Sequence, residues 1–232
     1  QFTVICPVYP PMANFFPKWT NMLPLKLVVC VAVLGAAITG GLTYYFTPKY
    51  TRVGYQPTQP VPFQHDIHVQ QLGMDCRFCH SFVEVASHSN VPSVQTCMSC
   101  HTQIRAQSPK LEAVRAAWND GKADGPPVNW VRIHRLPDYT YFNHAVHVNR
   151  GVSCYSCHGA VNEMKVVYQH EPQSMSWCLD CHRNPENHLR PPSEVFNMNW
   201  KAGSPAEQRQ IGEKFKKEWD VNPPVTCGGC HR

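Results

Sequence analysis

The sequence predicts a mostly coil fold with short helices, preceded by one N-terminal transmembrane helix. Three observations predict it. The five-residue motif C-x-x-C-H occurs five times in 232 residues. Residues 27–46 contain no charged side chain, which is typical of a membrane span. The chain also contains 21 prolines, and proline interrupts helices and central strands, so regular structure should be short and sparse.

The C-x-x-C-H motifs are the strongest functional signal in the chain. Two cysteines at this spacing can each form a thioether to one porphyrin, and the adjacent histidine can bind its iron. Structural zinc sites, disulfide frameworks and thioredoxin-like pairs also use C-x-x-C, but none needs a histidine at the next position every time. The motifs use ten of the twelve cysteines, and they predict five covalently bound haem c groups. Numbered 1 to 5 along the chain, they are Cys76/Cys79/His80, Cys97/Cys100/His101, Cys154/Cys157/His158, Cys178/Cys181/His182 and Cys227/Cys230/His231.

The fold class that follows is a multihaem cytochrome c. Residues 47–232 supply about 37 residues per motif, too few to build an ordinary side-chain core around each cofactor. Stacked haems should therefore form the core. Short helices are expected at Lys110 to Trp118, at Pro205 to Trp219 and as helical turns that carry the motifs.

The stretch from Leu27 to Phe46 is long enough to cross a bilayer as one helix, and aromatic residues flank it. A cleaved signal peptide is the competing interpretation, but the stretch is long for one and no small-residue cleavage site follows. We expect an uncleaved signal anchor. Because c-type haem is attached outside the cytoplasm, the haem domain should lie on the periplasmic side of the cytoplasmic membrane. Small residues at 36–41 favour packing against another transmembrane helix, and Cys6 and Cys30 receive no function.

The chain divides on these signals into seven segments. Two copies of a two-motif module are each preceded by a phenylalanine and two histidines, F-x-H-x-x-H. Proline-rich sequence, PTQPVP, separates the first copy from the transmembrane segment. The predicted segments are 1–22, a flank; 23–46, the anchor helix; 47–62, the spacer; 63–110, module 1; 111–140, a connector; 141–190, module 2; and 191–232, the segment with motif 5.

The two F-x-H-x-x-H leaders predict the sixth iron ligands of four haems. A low-spin electron-transfer haem needs such a ligand, and each leader offers two histidines on one turn. The leaders resemble those of class III tetrahaem cytochromes c, in which both histidines bind iron, on two different haems. Alternatively, only one histidine of each pair binds. The candidates are His65, His68, His144 and His147.

The sixth ligand of the fifth haem is less determined by the sequence. His134 ranks first because it leads directly into the second leader, and Met175 and Met164 near motif 4 follow. Most methionines more often fill gaps beside a porphyrin. The other possibilities are His88, His170, His188, Met74, Met98 and Met198.

Nearly the whole chain resembles the pentahaem subunit of alternative complex III, a bacterial quinol:electron-acceptor oxidoreductase. The resemblance rests on FQHDIHV, VPSVQTCMSCH, WVRIHRLPDYTYFNHAVHV, SMSWCLDCHRNPENHLRP and the terminal CGGCH. It implies an integral-membrane quinol-binding subunit, an iron–sulfur subunit and a monohaem cytochrome c as partners. The final acceptor would be a soluble blue copper protein or cytochrome c. The chain itself would relay electrons and would not be an enzyme alone.

Two other function classes remain open. A self-sufficient membrane quinol dehydrogenase, feeding a terminal reductase, would need a quinol pocket near Tyr55 to His68. A terminal nitrite- or hydroxylamine-converting enzyme would need an open iron, and eight histidines beyond the motif ones argue against that. Nucleic-acid binding has no support, because the net charge of +5 is scattered and five haems with ionised propionates would offset it.

Overall fold

The computed structural model describes residues 16–47 and 52–231. Predictions that concern residues 1–15 and 48–51, including Cys6, lie outside the described residues. The chain divides into two compact units, Gln1–Thr47 and Pro48–Arg232. Each is described here by itself.

The first unit consists of a short 3-10 turn, Lys18–Met22, followed by helix α1, Leu23–Phe46. Pro24 lies in the first turn of α1, where the absent N–H costs no intrahelical hydrogen bond. The side chains of α1 are exposed, and it is the one helix among the described residues that is long and apolar enough to cross a membrane. The predicted single apolar helix is confirmed, and such a helix serves either as an anchor or as a signal sequence.

The second unit is built from short helices, as predicted. A π-helical segment spans Asp66–Gln71, and within residues 52–231 no strand longer than an isolated bridge is present. Two bridges, Thr140 with His231 and Val152 with Leu189, join distant segments. The helices are α2 Cys76–Cys79, α3 Val94–His101, α4 Glu112–Trp118, α5 His144–Val148, α6 Tyr155–His158, α7 Met175–Arg183, α8 Pro205–Glu218 and α9 Cys227–Cys230. Short 3-10 turns lie at Pro109–Leu111, Asn119–Gly121, Val161–Glu163, Pro185–Asn187 and Pro192–Glu194.

Side-chain caps begin several of these short helices. The Asp75 carboxylate accepts a hydrogen bond from the Arg77 N–H at the start of α2. Ser174 accepts one from the Trp177 N–H at the start of α7, and Asn143 caps α5 in the same way. Because a helix of four to nine residues gains little from its own hydrogen bonds, such caps and tertiary contacts must define where it begins.

Buried side chains form only small clusters in the second unit. One joins Val61, Met98 and Val114, and another joins Val83 and Val148 with a third valine. Across residues 52–231, ten hydrophobic side chains are buried, which is few for a unit of this size. This agrees with the prediction that side chains alone do not supply the core.

Helix α8 packs closely on the turn Pro185–Asn187, which follows motif 4. Gly212 allows this contact, because a Cβ at that position would collide with the backbone carbonyl of Glu186. The Gln208 amide donates to the Leu189 carbonyl at 2.8 Å, and Lys216 Nζ lies 2.8 Å from Glu186 Oε2. The C-terminal segment is thereby fixed to the second two-motif module.

Candidate cofactor site

Three of the five motif histidines use one ring nitrogen to bond the backbone. The Nδ1–H groups of His80, His101 and His182 donate to backbone carbonyls at 2.7–2.8 Å. The acceptors are the carbonyls of Asn90, Ile104 and Pro224. Metal-binding histidines typically anchor the non-binding nitrogen in this way, which fixes the tautomer and the ring orientation. These three rings are therefore arranged to bind a metal through Nε2.

Three of the four leader histidines are oriented by the same kind of hydrogen bond to the backbone. The Nδ1–H groups of His68, His144 and His147 donate to the backbone carbonyls of Gln64, Ser87 and Asn143 at 2.7–2.9 Å. His65 differs, since its Nδ1 is buried without a hydrogen-bond partner. Three of the four leader histidines thus also keep Nε2 for another partner.

Two histidine pairs have the separation expected of axial ligands to one iron. Because a histidine nitrogen binds a transition metal at about 2 Å, two imidazoles on opposite sides of one iron have ring centres about 6 Å apart. The ring centres of His68 and His101 are 6.1 Å apart. Those of His147 and His182 are 6.2 Å apart. The second histidine of each leader therefore faces the second motif of its own module.

The phenylalanine of each leader holds its two histidines in the same geometry. Phe63 stacks on His68 at 4.5 Å, and Phe142 stacks on His147 at 4.7 Å. Each phenylalanine also meets the first histidine of its leader edge to face, at 4.9 and 4.7 Å between ring centres. The repeat in the sequence is therefore a repeat in space.

The two leaders dock on each other's modules. The His65 N–H donates to the carbonyl of Met164, which follows motif 3, at 3.1 Å. In the reciprocal contact, the His144 N–H donates to the carbonyl of Ser87, which follows motif 1, at 3.0 Å. Asn162 adds a side-chain hydrogen bond to Gln70 at 2.8 Å. Each leader is thus held by hydrogen bonds to the segment behind the first motif of the opposite module.

Burial keeps the central histidines in the neutral form that binds metals. Burial, with help from His80 and His68, lowers the pKa of His65 to about 4. Burial also lowers the pKa of His158 to about 3, and His134 and His144 lower it further. Burial lowers the pKa values of His147 and His144.

His134, the first candidate for the fifth haem, lies beside motif 3. Its Nε2 is 3.3 Å from Nδ1 of His158, and the ring centres are 4.3 Å apart. That spacing is shorter than the axial separation in the two pairs described above. Burial lowers the pKa of His134 to about 4, so the ring is neutral. Its role as a sixth ligand stays a prediction.

Motif 5 lies against the segment that leads into the second leader. The Tyr141 N–H donates to the Cys230 carbonyl at 2.8 Å, and the Tyr139 ring lies 5.6 Å from that of His231. Among the other candidates, Met164 is buried, whereas Met175 is 65% exposed at the start of α7. The structure gives no contact of Met164 or Met175 with His231 among the residues that it describes.

One cavity connects the attachment sites of the second unit. Its volume is about 1600 Å³, and residues of all five motifs and of both leaders line it. A typical site for one small molecule holds roughly 300–1,000 Å³. A continuous cavity of this size, lined by paired imidazoles and cysteines, fits several large flat groups in series.

The cysteines fit covalent attachment better than the alternative uses of C-x-x-C. No two cysteines in residues 16–47 and 52–231 are joined by a disulfide. Over the same residues, no three or more histidine, cysteine or carboxylate side chains converge as the ligands of a bare metal ion. The thiols therefore line the cavity without a zinc-type cluster.

The comparison with protein families decides the class of cofactor. Residues 61–119 and 140–232 match the family described as cytochrome c7 and related cytochrome c. The chain belongs to this family. The cytochrome is thus a multihaem protein, its cysteines imply covalent haem c, and the predicted fold class is confirmed. The count of five stays a prediction.

A relative with a curated description extends the comparison. The cytochrome is 31% identical over 154 residues to the menaquinone reductase multiheme cytochrome c subunit of Nitratidesulfovibrio vulgaris. The alignment covers 58% of this chain and 71% of the relative. This supports an electron-transfer subunit of a quinone-linked complex more directly than it supports alternative complex III in particular.

Sequence reasoning missed the groups that orient the histidines, because most are backbone carbonyls without a signature. Asn90 supplies such a carbonyl and also bonds the same loop through its side chain. Its carbonyl accepts from His80, its Oδ1 accepts from the Phe82 N–H, and its Nδ2 donates to the Cys79 carbonyl. Asn90 therefore holds the loop behind motif 1 in place. The only signal for this role in the sequence is an asparagine in an otherwise plain loop before V-P-S.

Proposed function

We propose that this cytochrome is a membrane-anchored electron relay with five haem c groups, one on each motif. The observation that carries the proposal is the pair of 6.1 and 6.2 Å histidine separations within one continuous cavity. When bound, haem iron accepts and donates single electrons. The protein supplies two thioether anchors and a proximal histidine for each haem.

We assign the second histidine of each leader as a sixth ligand. His68 completes the iron of motif 2, and His147 completes that of motif 4, since their rings face the motif histidines at axial separation. His65 and His144 serve motifs 1 and 3. Neutral imidazole on both sides favours a low-spin iron of low potential, which suits electron transfer rather than substrate binding.

The relay belongs to a respiratory or photosynthetic membrane complex. Helix α1 acts as an uncleaved anchor and places the second unit on the periplasmic side. The subunits expected around it are an integral-membrane quinol-binding subunit, an iron–sulfur subunit and a monohaem cytochrome c. Electrons pass from the quinol-oxidising part through this chain to a blue copper protein or a soluble cytochrome c, as in alternative complex III.

The name of the relative favours a second candidate, in which the same chain carries electrons toward menaquinone. A chain of haems conducts in either direction, so the potentials of the donor and the acceptor set the flow. The ligands and the attachment sites would be the same. The two candidates differ in which partner is reduced.

The deciding experiment separates membrane complexes, extracted in mild detergent, on a native gel. Bands that stain for haem and contain this chain are tested with a quinol analogue, and separately with a reduced soluble cytochrome plus menaquinone. We expect the quinol to reduce the chain only within a large assembly. Reduction of the chain alone would make it a self-sufficient quinol dehydrogenase, and menaquinone reduction by the assembly would establish the second candidate.

A further inference from the structure

The attachment motifs contact one another selectively, and each contact joins two particular motifs. Motifs 1 and 2 are linked through one leader, because His65 and His68 share it and His68 faces His101. The shared leader therefore places motif 2 beside motif 1.

The segments behind motifs 1 and 3 are joined to the opposite leaders by reciprocal hydrogen bonds. The His65 N–H donates to the Met164 carbonyl at 3.1 Å, and the His144 N–H donates to the Ser87 carbonyl at 3.0 Å. Motifs 1 and 3 are thus neighbours although 73 residues separate the end of one from the start of the other.

The remaining contacts run from motif 3 to motif 4 and then to motif 5. Motifs 3 and 4 share the second leader, because His144 and His147 both lie on it and His147 faces His182 at 6.2 Å. The Nδ1–H of His182 donates at 2.8 Å to the carbonyl of Pro224, three residues before motif 5.

We propose that the five attachment sites form a linear series in the order 2, 1, 3, 4, 5, which differs from their order in the sequence. This inference rests on the proposed relay function and deepens it. Motifs 1 and 3 are the inner junction between the modules. Motifs 2 and 5 are the two ends, where electrons enter and leave. Within each module, the contacts run outward from the first motif to the second.

The order predicts how fast an electron injected at either end reaches motif 4. A ruthenium photoreductant is attached at Gln103→Cys, beside motif 2, or at Val225→Cys, beside motif 5. Both positions are exposed. The background carries Cys6→Ala and Cys30→Ala, so that no other thiol is labelled, and His147→Gly, which opens the iron at motif 4. Carbon monoxide then binds the iron there once an electron has reduced it, and the change in absorbance reports the arrival.

We expect a shorter delay from the label beside motif 5, which is adjacent to motif 4, than from the label beside motif 2, which lies three steps away. Equal or reversed delays would overturn the order. This comparison uses protein that carries all its haems, as verified by mass spectrometry. If neither label delivers electrons to motif 4, the relay function fails; if both deliver in the wrong order, only the series fails.

Removal of single sites tests the inner junction. Starting from the label beside motif 2, Cys154→Ala with Cys157→Ala should abolish the fast arrival at motif 4, because motif 3 lies on the path. The matched control, Cys227→Ala with Cys230→Ala, removes motif 5 and should leave that arrival unchanged. The order would be contradicted if the fast arrival at motif 4 were lost in the control and persisted in the variant that lacks motif 3. Should the motif 3 variant not fold, the comparison of the two labels still decides.

Discussion

At the scale of single residues, the geometry depends on imidazoles whose second nitrogen is fixed by the backbone. Six motif and leader histidines donate Nδ1–H to a carbonyl, so a substitution removes the imidazole and leaves the carbonyl in place. The sequence identified these histidines through the repeated motif and leader. It did not identify their acceptors, since any residue type supplies a carbonyl.

The His68→Ala substitution should convert one haem to high spin and leave the others low-spin. The reason is that His68 faces His101 at 6.1 Å, and no other imidazole within residues 52–231 lies at that separation from His101. Electron paramagnetic resonance of the oxidised protein measures the change. Gln71→Ala, at an exposed position at the end of the same turn, serves as the control. An unchanged spectrum for His68→Ala would remove that residue from the ligands.

The Glu186 carboxylate should make stability depend on pH. Its side chain is 8% exposed and 2.8 Å from Lys216 Nζ, and this hydrogen bond holds its pKa below the usual value. The unfolded chain binds the proton more readily, so the stabilisation is present above the ordinary glutamate pKa and is lost as pH falls toward the lowered one.

Glu186→Gln should therefore lower the unfolding temperature at pH 7 by an amount equivalent to about 1–3 kcal/mol. The difference from the unmodified protein should shrink in acid, as circular dichroism during heating would show. Glu213→Gln provides the matched control, because Glu213 pairs with Arg209 but is 57% exposed. Equal effects of the two substitutions would show that burial of Glu186 does not matter.

At the scale of secondary structure, short helices are defined by caps and contacts more than by their own length. Helix α8 illustrates this: Ser204 accepts from the Glu207 N–H, and the Glu207 carboxylate accepts from the Gly203 N–H. That pattern, with Pro205 following, made α8 predictable from the sequence. Its partner, the turn Pro185–Asn187, was not predictable, because the contact depends on the absence of a side chain at Gly212.

The Gly212→Ala substitution should push α8 away from that turn. The added Cβ would meet backbone atoms of Glu186, which cannot rotate aside as a side chain can. Overpacking of this kind costs about 1–3 kcal/mol, measurable as a lower unfolding temperature. Gln210→Ala, at an exposed position of the same helix, should change stability little. A tolerated Gly212→Ala would mean that α8 is not held against the turn.

At the scale of the whole molecule, the number of attached cofactors is the simplest test of the interpretation. The intact protein should exceed the mass of its polypeptide by five haems. Cys227→Ala with Cys230→Ala should remove one of them, whereas Cys30→Ala in α1 should remove none. Mass spectrometry of the purified chain measures both. A loss of haem in the Cys30 variant would contradict the assignment of that cysteine outside the attachment sites.

The fold class and the motif residues were predictable because covalent attachment demands fixed residue types at fixed spacing. Spatial order was not, because it arises from contacts between residues far apart in the chain. His65 and Met164 illustrate the difference. The leader that contains His65 is recognisable alone, yet nothing in the sequence indicates that its backbone N–H meets the Met164 carbonyl.

The reciprocal docking of the leaders also constrains how the protein is made. The Met164 carbonyl that holds the His65 leader follows it by 99 residues, and the His144 leader follows the Ser87 carbonyl that holds it by 57. Neither contact can form until the chain has been synthesised through the second leader. The last hydrogen bonds of the first leader are therefore made only when most of the second module is present.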